Sequence, residues 1–137
     1  MKLPLALAAA VLGIVAVAPA SSLAAGHAAP VIEIKTSNLG TVLATPAKLG
    51  LYSWDTEKKA GGKVKCTGAC ARSWPPVLVK GMVEKHYKGV MGTFGTVRRP
   101  DGSTQLTDAG LPVYTYHGDT AGVVKCDGVD GWHAIRV

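Results

Sequence analysis

Two triplets in this chain have residue types and spacings that could do chemistry: Tyr52, Trp54 and Glu57, and again Tyr114, Tyr116 and Asp119. In each, a tyrosine is followed two positions on by a second aromatic and three further on by an acid. On a strand, residues two apart face the same side, so both rings of each triplet share one surface. The acid then falls in the following turn, where a carboxylate accepts backbone N–H groups and closes the bend. Such rings can form a platform for a sugar or another flat ligand. They can equally form a shared core while the acids fasten turns, and that is the commoner fate of aromatics so arranged.

The cysteines carry the second chemical signal. There are three, Cys66, Cys70 and Cys126, and in an exported protein an odd count leaves one thiol over or makes an intermolecular bridge. In a regular helix the Cα atoms of Cys66 and Cys70 would stand about 6 Å apart, within disulfide range, although the near-parallel Cβ directions would force some distortion. Closing so short a loop stabilises by about 2 kcal/mol, whereas a Cys66–Cys126 bridge would close a long loop for about 4 kcal/mol. Spacing alone leaves both pairings open.

Metal chemistry would draw on the same residues. Cys66, Cys70, Cys126 and His133 could make a three-sulfur, one-nitrogen zinc set, but Cys-x-x-x-Cys is wider than the common zinc knuckle. A copper set could use Cys126, His117 and His133 with Met82 or Met91, though no recognisable spacing fixes them. Haem attachment fails, because Ala71 rather than histidine follows Cys70. No cofactor is therefore expected, and a metal-binding or redox accessory protein stands as the alternative to the main reading.

Enzymatic signatures are absent. There is no Gly-x-Ser-x-Gly elbow, no phosphate-cradling glycine loop and no His-Glu-x-x-His helix. Asp101, Asp108, Asp119, Asp127 and Asp130 are numerous enough for paired-carboxylate chemistry, yet each lies beside glycine or in a turn signal, where aspartate is favoured for local reasons. The expectation is a protein that is not an enzyme.

The elements that must position these residues lie after a leader. Lys2, the apolar run Leu3–Val17 and the small residues Ser22 and Ala24 read as a secretory signal peptide over residues 1–25, cut after Ala24 or Ala25, with Ala18-Pro19-Ala20 as another possible cut. The run is short for an uncleaved membrane anchor. Residues 26–137 then form a single exported domain with no membrane span, in the periplasm or outside the cell. The formal charge of +6 becomes +5 without Lys2. That balance favours anionic cell-envelope polymers or acidic proteins as partners. Nucleic acid is not expected, since there is no dense basic run and Lys58, Lys59, Lys63 and Lys65 read as a solvated loop.

The mature chain reads as short strands between turns: Val31–Lys35, Gly40–Ala44, Leu49–Trp54, Phe94–Arg98, Thr104–Thr107 and Leu111–Tyr116. Pro100-Asp101-Gly102-Ser103 and Asp108-Ala109-Gly110 supply turns. The one expected helix runs over residues 67–73, from a Thr67 cap to Trp74-Pro75-Pro76. Residues 79–92 form a joining loop. Landmarks recur in order: Gly40-Thr41-Val42 as Gly95-Thr96-Val97, Leu51-Tyr52-Ser53-Trp54 as Val113-Tyr114-Thr115-Tyr116, Val64-Lys65-Cys66 as Val124-Lys125-Cys126, and Trp74 as Trp132. One supersecondary unit is used twice, over about residues 39–78 and 94–137, and neither copy should bury its apolar face alone. The fold class is all-β, mainly antiparallel, two hairpin units packed as one small domain.

These motifs, with Cys66-Thr67-Gly68-Ala69-Cys70-Ala71, Trp74-Pro75-Pro76 and Gly131-Trp132-His133-Ala134, resemble a bacterial secreted and lipoprotein family built on a repeated Tyr-x-aromatic-x-x-Asp motif. Carried over, the motif residues are Tyr52, Trp54, Glu57, Tyr114, Tyr116 and Asp119. Glu57 departs from the pattern, and no lipid-accepting cysteine follows the leader. The resemblance implies paired cysteines at Cys66 and Cys70, hence a local disulfide with Cys126 as the free thiol. It implies no catalytic residues. The function expected is an exported, non-enzymatic protein that binds or builds the cell envelope, with ligand and oligomeric state unread.

Overall fold

The computed structural model describes residues 2, 4, 13–18 and 28–137. The signal cut expected after Ala24 or Ala25, and most of the leader before it, lie outside the described residues. The first unit contains β1 (Ile32–Thr36), β2 (Gly40–Ala44), β3 (Tyr52–Trp54), α1 (Asp55–Lys59) and α2 (Ala69–Ser73). The second contains β4 (Phe94–Arg98), β5 (Thr104–Asp108), β6 (Leu111–Pro112) and β7 (Trp132–Ala134). Every strand pair is antiparallel, and the fold is the expected small all-β arrangement of two related units.

Each unit opens with a hairpin. β1 pairs β2 from Ile32↔Ala44 to Thr36↔Gly40, and β4 pairs β5 from Phe94↔Asp108 to Arg98↔Thr104. The second hairpin turns where Asp101 Oδ1 accepts the Ser103 N–H at 2.9 Å, a local bond that makes aspartate a good turn residue. β5 then folds onto β6 through Ala109 and Gly110, both with positive φ, at 49° and 76°. Two such residues match the twist of the flanking strands, which is why short hairpins use them.

After its third strand each unit sends its last strand into the other. β3 pairs β7 from the second unit, with Tyr52 opposite Ala134 and Trp54 opposite Trp132. Leu43 N–H donates to Ile135 at 2.9 Å, and Leu106 N–H donates to Val77 at 2.8 Å. Ile135 N–H donates to Leu51 at 2.9 Å, and Val77 N–H donates to Val113 at 3.1 Å. These bonds match one for one when the units are exchanged. At the centre Tyr52 and Tyr114 trade both backbone bonds, at 2.8 and 3.0 Å. An approximate two-fold axis therefore passes between these two tyrosines.

This correspondence corrects one landmark. β1 is the counterpart of β4 and β2 that of β5, so Gly40-Thr41-Val42 lies in a second strand and Gly95-Thr96-Val97 in a first. The letters agree while the places do not. β2 and β5 share the buried positions instead: Leu43 with Leu106, both wholly buried. The strand expected over Leu49–Trp54 narrows to β3, and that over Leu111–Tyr116 to β6, because Tyr114 leaves its own ladder to bridge Tyr52 and Pro76. α1 stands where only a turn was expected. α2 starts at Ala69 with Gly68, not Thr67, at its cap. The Gly68 φ of 57° suits glycine and carries the chain into the helix without a side-chain cap.

Two apolar clusters make the core. One gathers Val31, Leu43, Leu51, Phe94, Leu106 and Val113 from both units. The other surrounds the tyrosine axis and holds Val42, Tyr52, Cys66, Trp74, Tyr114 and Trp132 among its members. Each cluster draws on both units, so neither unit holds a complete core by itself.

Candidate functional site

The strand exchange brings the two triplets together. Tyr52 donates its hydroxyl to Asp119 Oδ2 at 2.6 Å, and Tyr114 donates to Glu57 Oε2 at 2.8 Å. Each tyrosine thus serves the acid of the other unit. Each acid also accepts a backbone N–H from the lysine before a cysteine: Lys65 N–H to Glu57 at 2.8 Å, and Lys125 N–H to Asp119 at 2.9 Å. Asp119 uses both oxygens for these bonds, whereas both bonds to Glu57 fall on Oε2. The network clamps three segments at once: a β-strand, the turn or helix after the opposite strand, and the loop toward Cys66 or Cys126.

The remaining aromatics form a ladder across the same axis. Trp74 and Trp132 stack with ring centroids 4.0 Å apart and 7° between planes. Trp54 stacks on the outer face of Trp132 at 4.9 Å, and Tyr116 lies over Trp74 at 4.8 Å. Tyr52 meets Trp74 edge-on and Tyr114 meets Trp132 edge-on, both at 5.1 Å. Offset stacks and edge contacts suit the ring quadrupole. Trp74 and Trp132 are buried, whereas Trp54 and Tyr116 at the ladder's ends are half-buried.

Electrostatics differ between the halves. Burial, reinforced by the carboxylate each hydroxyl serves, pushes both Tyr52 and Tyr114 far above the ordinary phenol range. Glu57 is wholly buried and its Oε1 has no hydrogen-bond partner, whereas Asp119 keeps slight exposure. A buried cation, Arg99, lies on the Tyr114 side of the network. Arg99 donates to Gln105 Oε1 and to the Cys66 carbonyl, both at 2.7 Å. Arg99 and Gln105 also approach the Tyr114 hydroxyl. A buried carboxylate is costly unless hydrogen bonds offset it, and Glu57 receives two, from Tyr114 and from the Lys65 N–H.

Cys66 and Cys70 form the disulfide, so the Cys66–Cys126 bridge is not made. The bridge also takes two ligands from the zinc set proposed with Cys126 and His133. Among the described residues no group of three or more His, Cys, Asp and Glu is placed to hold a metal. Cys126 is a free, half-buried thiol beside the Tyr116 hydroxyl, which it raises above the usual range. His133 pairs with Asp55 at 3.0 Å on the surface and holds that carboxyl below its ordinary value. His117 packs edge-on against Tyr116.

The other aspartates serve local structure. Asp108 accepts Thr93 N–H, Asp127 accepts Ala134 N–H and pairs with Arg136, and the Asp130 carbonyl accepts Trp54 Nε1–H. Arg99 and Gln105 escaped the sequence reading, since nothing local marks either as buried. The lysine N–H groups had a visible signal in the repeated Val-Lys-Cys. Its link to the acids was not.

The fold and site define a class: a two-repeat β protein whose repeats exchange strands and lock through paired tyrosines and acids. The chain belongs to the family described as a secreted repeat of unknown function, which matches residues 33–78 and 95–136. These limits coincide with the structural units, β1 onward and β4 onward, rather than with a first unit beginning at residue 39. No curated protein and no solved structure matches the chain. The family makes this an exported protein. No described helix is long and apolar enough to cross a membrane.

Proposed function

We propose that this protein is a non-enzymatic component of the cell envelope, in the periplasm or outside the cell, that binds anionic envelope material through its basic exterior. One observation carries the reading: the motif tyrosines and acids are engaged with one another between the units, at 2.6 and 2.8 Å, and all four are buried. Residues so engaged hold the fold and offer no free acid, base or nucleophile to a substrate. Basic residues outnumber acidic ones, 15 against nine in the whole chain, and two of the nine acids, Glu57 and Asp119, are buried.

Retention on a polyanionic column such as lipoteichoic acid tests this. It should be strong at about 0.1 M salt and lost by about 1 M, as the screening length falls from about 10 to about 3 Å. Retention that ignores salt, or none at low salt, would count against the proposal.

A further inference from the structure

One segment is unused by the repeat architecture. Val79 N–H donates to Thr104 as Val137 N–H donates to Thr41, so Val79 is the counterpart of the chain's last residue. Residues 80–92 fall between the two family matches. The segment is nonetheless firmly seated. Val83, Tyr87 and Val90 pack on the apolar cluster that holds Leu43, Phe94 and Leu106, and Met91 N–H donates to Glu33 at 2.7 Å.

The same stretch also leaves apolar side chains open to solvent. Leu78 is 54% exposed, Met82 78% and Met91 68%. They are three of the six large exposed apolar residues within residues 28–137. Beside Leu78 and Met82 runs a groove of about 270 Å³ whose walls also include Ala28, Pro30 and Tyr87. Lys80 lines the groove, and Lys85 and Lys88 are exposed further along the same segment, against exposed Glu84 and half-buried Glu33, which the Met91 N–H holds. Apolar side chains left this exposed on a firmly seated segment are costly in water unless something covers them. Flexible, polarisable methionine beside lysine suits an interface where acyl chains meet anionic headgroups.

We infer that residues 78–91, where Leu78, Met82 and Met91 stand exposed among Lys80, Lys85 and Lys88, dock on an anionic phospholipid surface. This rests on the proposed binding of anionic envelope material and names its partner and place. Apolar side chains enter the headgroup boundary while the lysines meet phosphate, each contributing about a fivefold gain in partitioning.

The test is co-sedimentation of the protein with vesicles of phosphatidylglycerol mixed with phosphatidylcholine, and with phosphatidylcholine alone. Binding to the mixed vesicles only is expected. Replacing Lys80, Lys85 and Lys88 together by Gln should weaken it about a hundredfold. M82S with M91S should weaken it at least about tenfold with near-ultraviolet circular dichroism unchanged. Lys58, Lys59 and Lys63 lie on the first unit, and replacing them by Gln removes the same charge. If that loss is as large, binding follows net charge and the docking face is wrong, although the broader proposal survives. Retention on lipoteichoic acid without vesicle binding would likewise overturn the docking face and leave the broader proposal standing. A concentration-dependent dimer dissolved by M82S with M91S would assign the face to a second copy and overturn the inference.

Discussion

The tyrosine hydroxyls are the residues on which the fold turns. Tyr52→Phe removes a donor from a buried carboxylate at unchanged shape, and a hydrogen bond to a charged group is worth about 1.5–3 kcal/mol. Tyr114→Phe should cost more than Tyr52→Phe, because Glu57 is wholly buried with one oxygen already unpartnered. Urea unfolding of the two variants checks the order. A double-mutant cycle of Tyr52→Phe with Asp119→Asn should show coupling above about 1 kcal/mol. Additive losses would mean that the hydroxyl and carboxylate do not act as a pair. The same hydroxyls set a limit in alkali. Their proton is held in the fold beyond the point, about pH 10, at which the unfolded chain releases it. Their contribution is therefore complete below about pH 10 and is lost as pH rises above it. The urea midpoint should stay level from about pH 8 to about pH 9.5 and fall beyond about pH 10. The fall should be shallower when both tyrosines are phenylalanine.

At the level of elements, the disulfide governs α2. Cys66 and Cys70 close a loop only four residues apart, so reduction or Cys70→Ser should lower stability by about 2 kcal/mol and Tm by about 8 °C without unfolding the protein. Collapse on reduction would show that the bridge determines the fold rather than trimming it. Elements such as the β4–β5 hairpin were legible because Pro100-Asp101-Gly102-Ser103 marks its turn within a few residues. The period-two alternation of Ile32 and Ile34 likewise marks β1. α1 was not legible: Asp55–Lys59 is one turn of polar residues, and what keeps it helical is Glu57 reaching Tyr114 in the other unit. The exchange of last strands was hidden for a related reason. Alternation tells which side of Val77 or Ile135 turns inward. It cannot tell which of two similar hairpins receives the strand.

For the whole molecule, that exchange means that each half is completed only by the other. β3 has its partner in β7, Leu106 has its partner in Val77, and each buried acid has its hydroxyl across the axis. A fragment ending at Gly81 would keep Glu57 and lose Tyr114, leaving the buried carboxylate with one of its two donors. The complementary fragment from Met82 would keep Tyr114 and lose Glu57, and its β5 edge would lie open where Val77 had closed it. Neither fragment alone, at low micromolar concentration, should melt cooperatively or show the near-ultraviolet dichroism of the stacked tryptophans. Mixed in equal amounts they should regain both, because the cut falls in the exposed segment that the repeats do not use. The regained melt should depend on concentration, as association replaces the covalent link. A single fragment that melts cooperatively as a monomer would show that one repeat carries a sufficient core. The reciprocal tyrosine–acid bonds would then be a fastening between two independent domains.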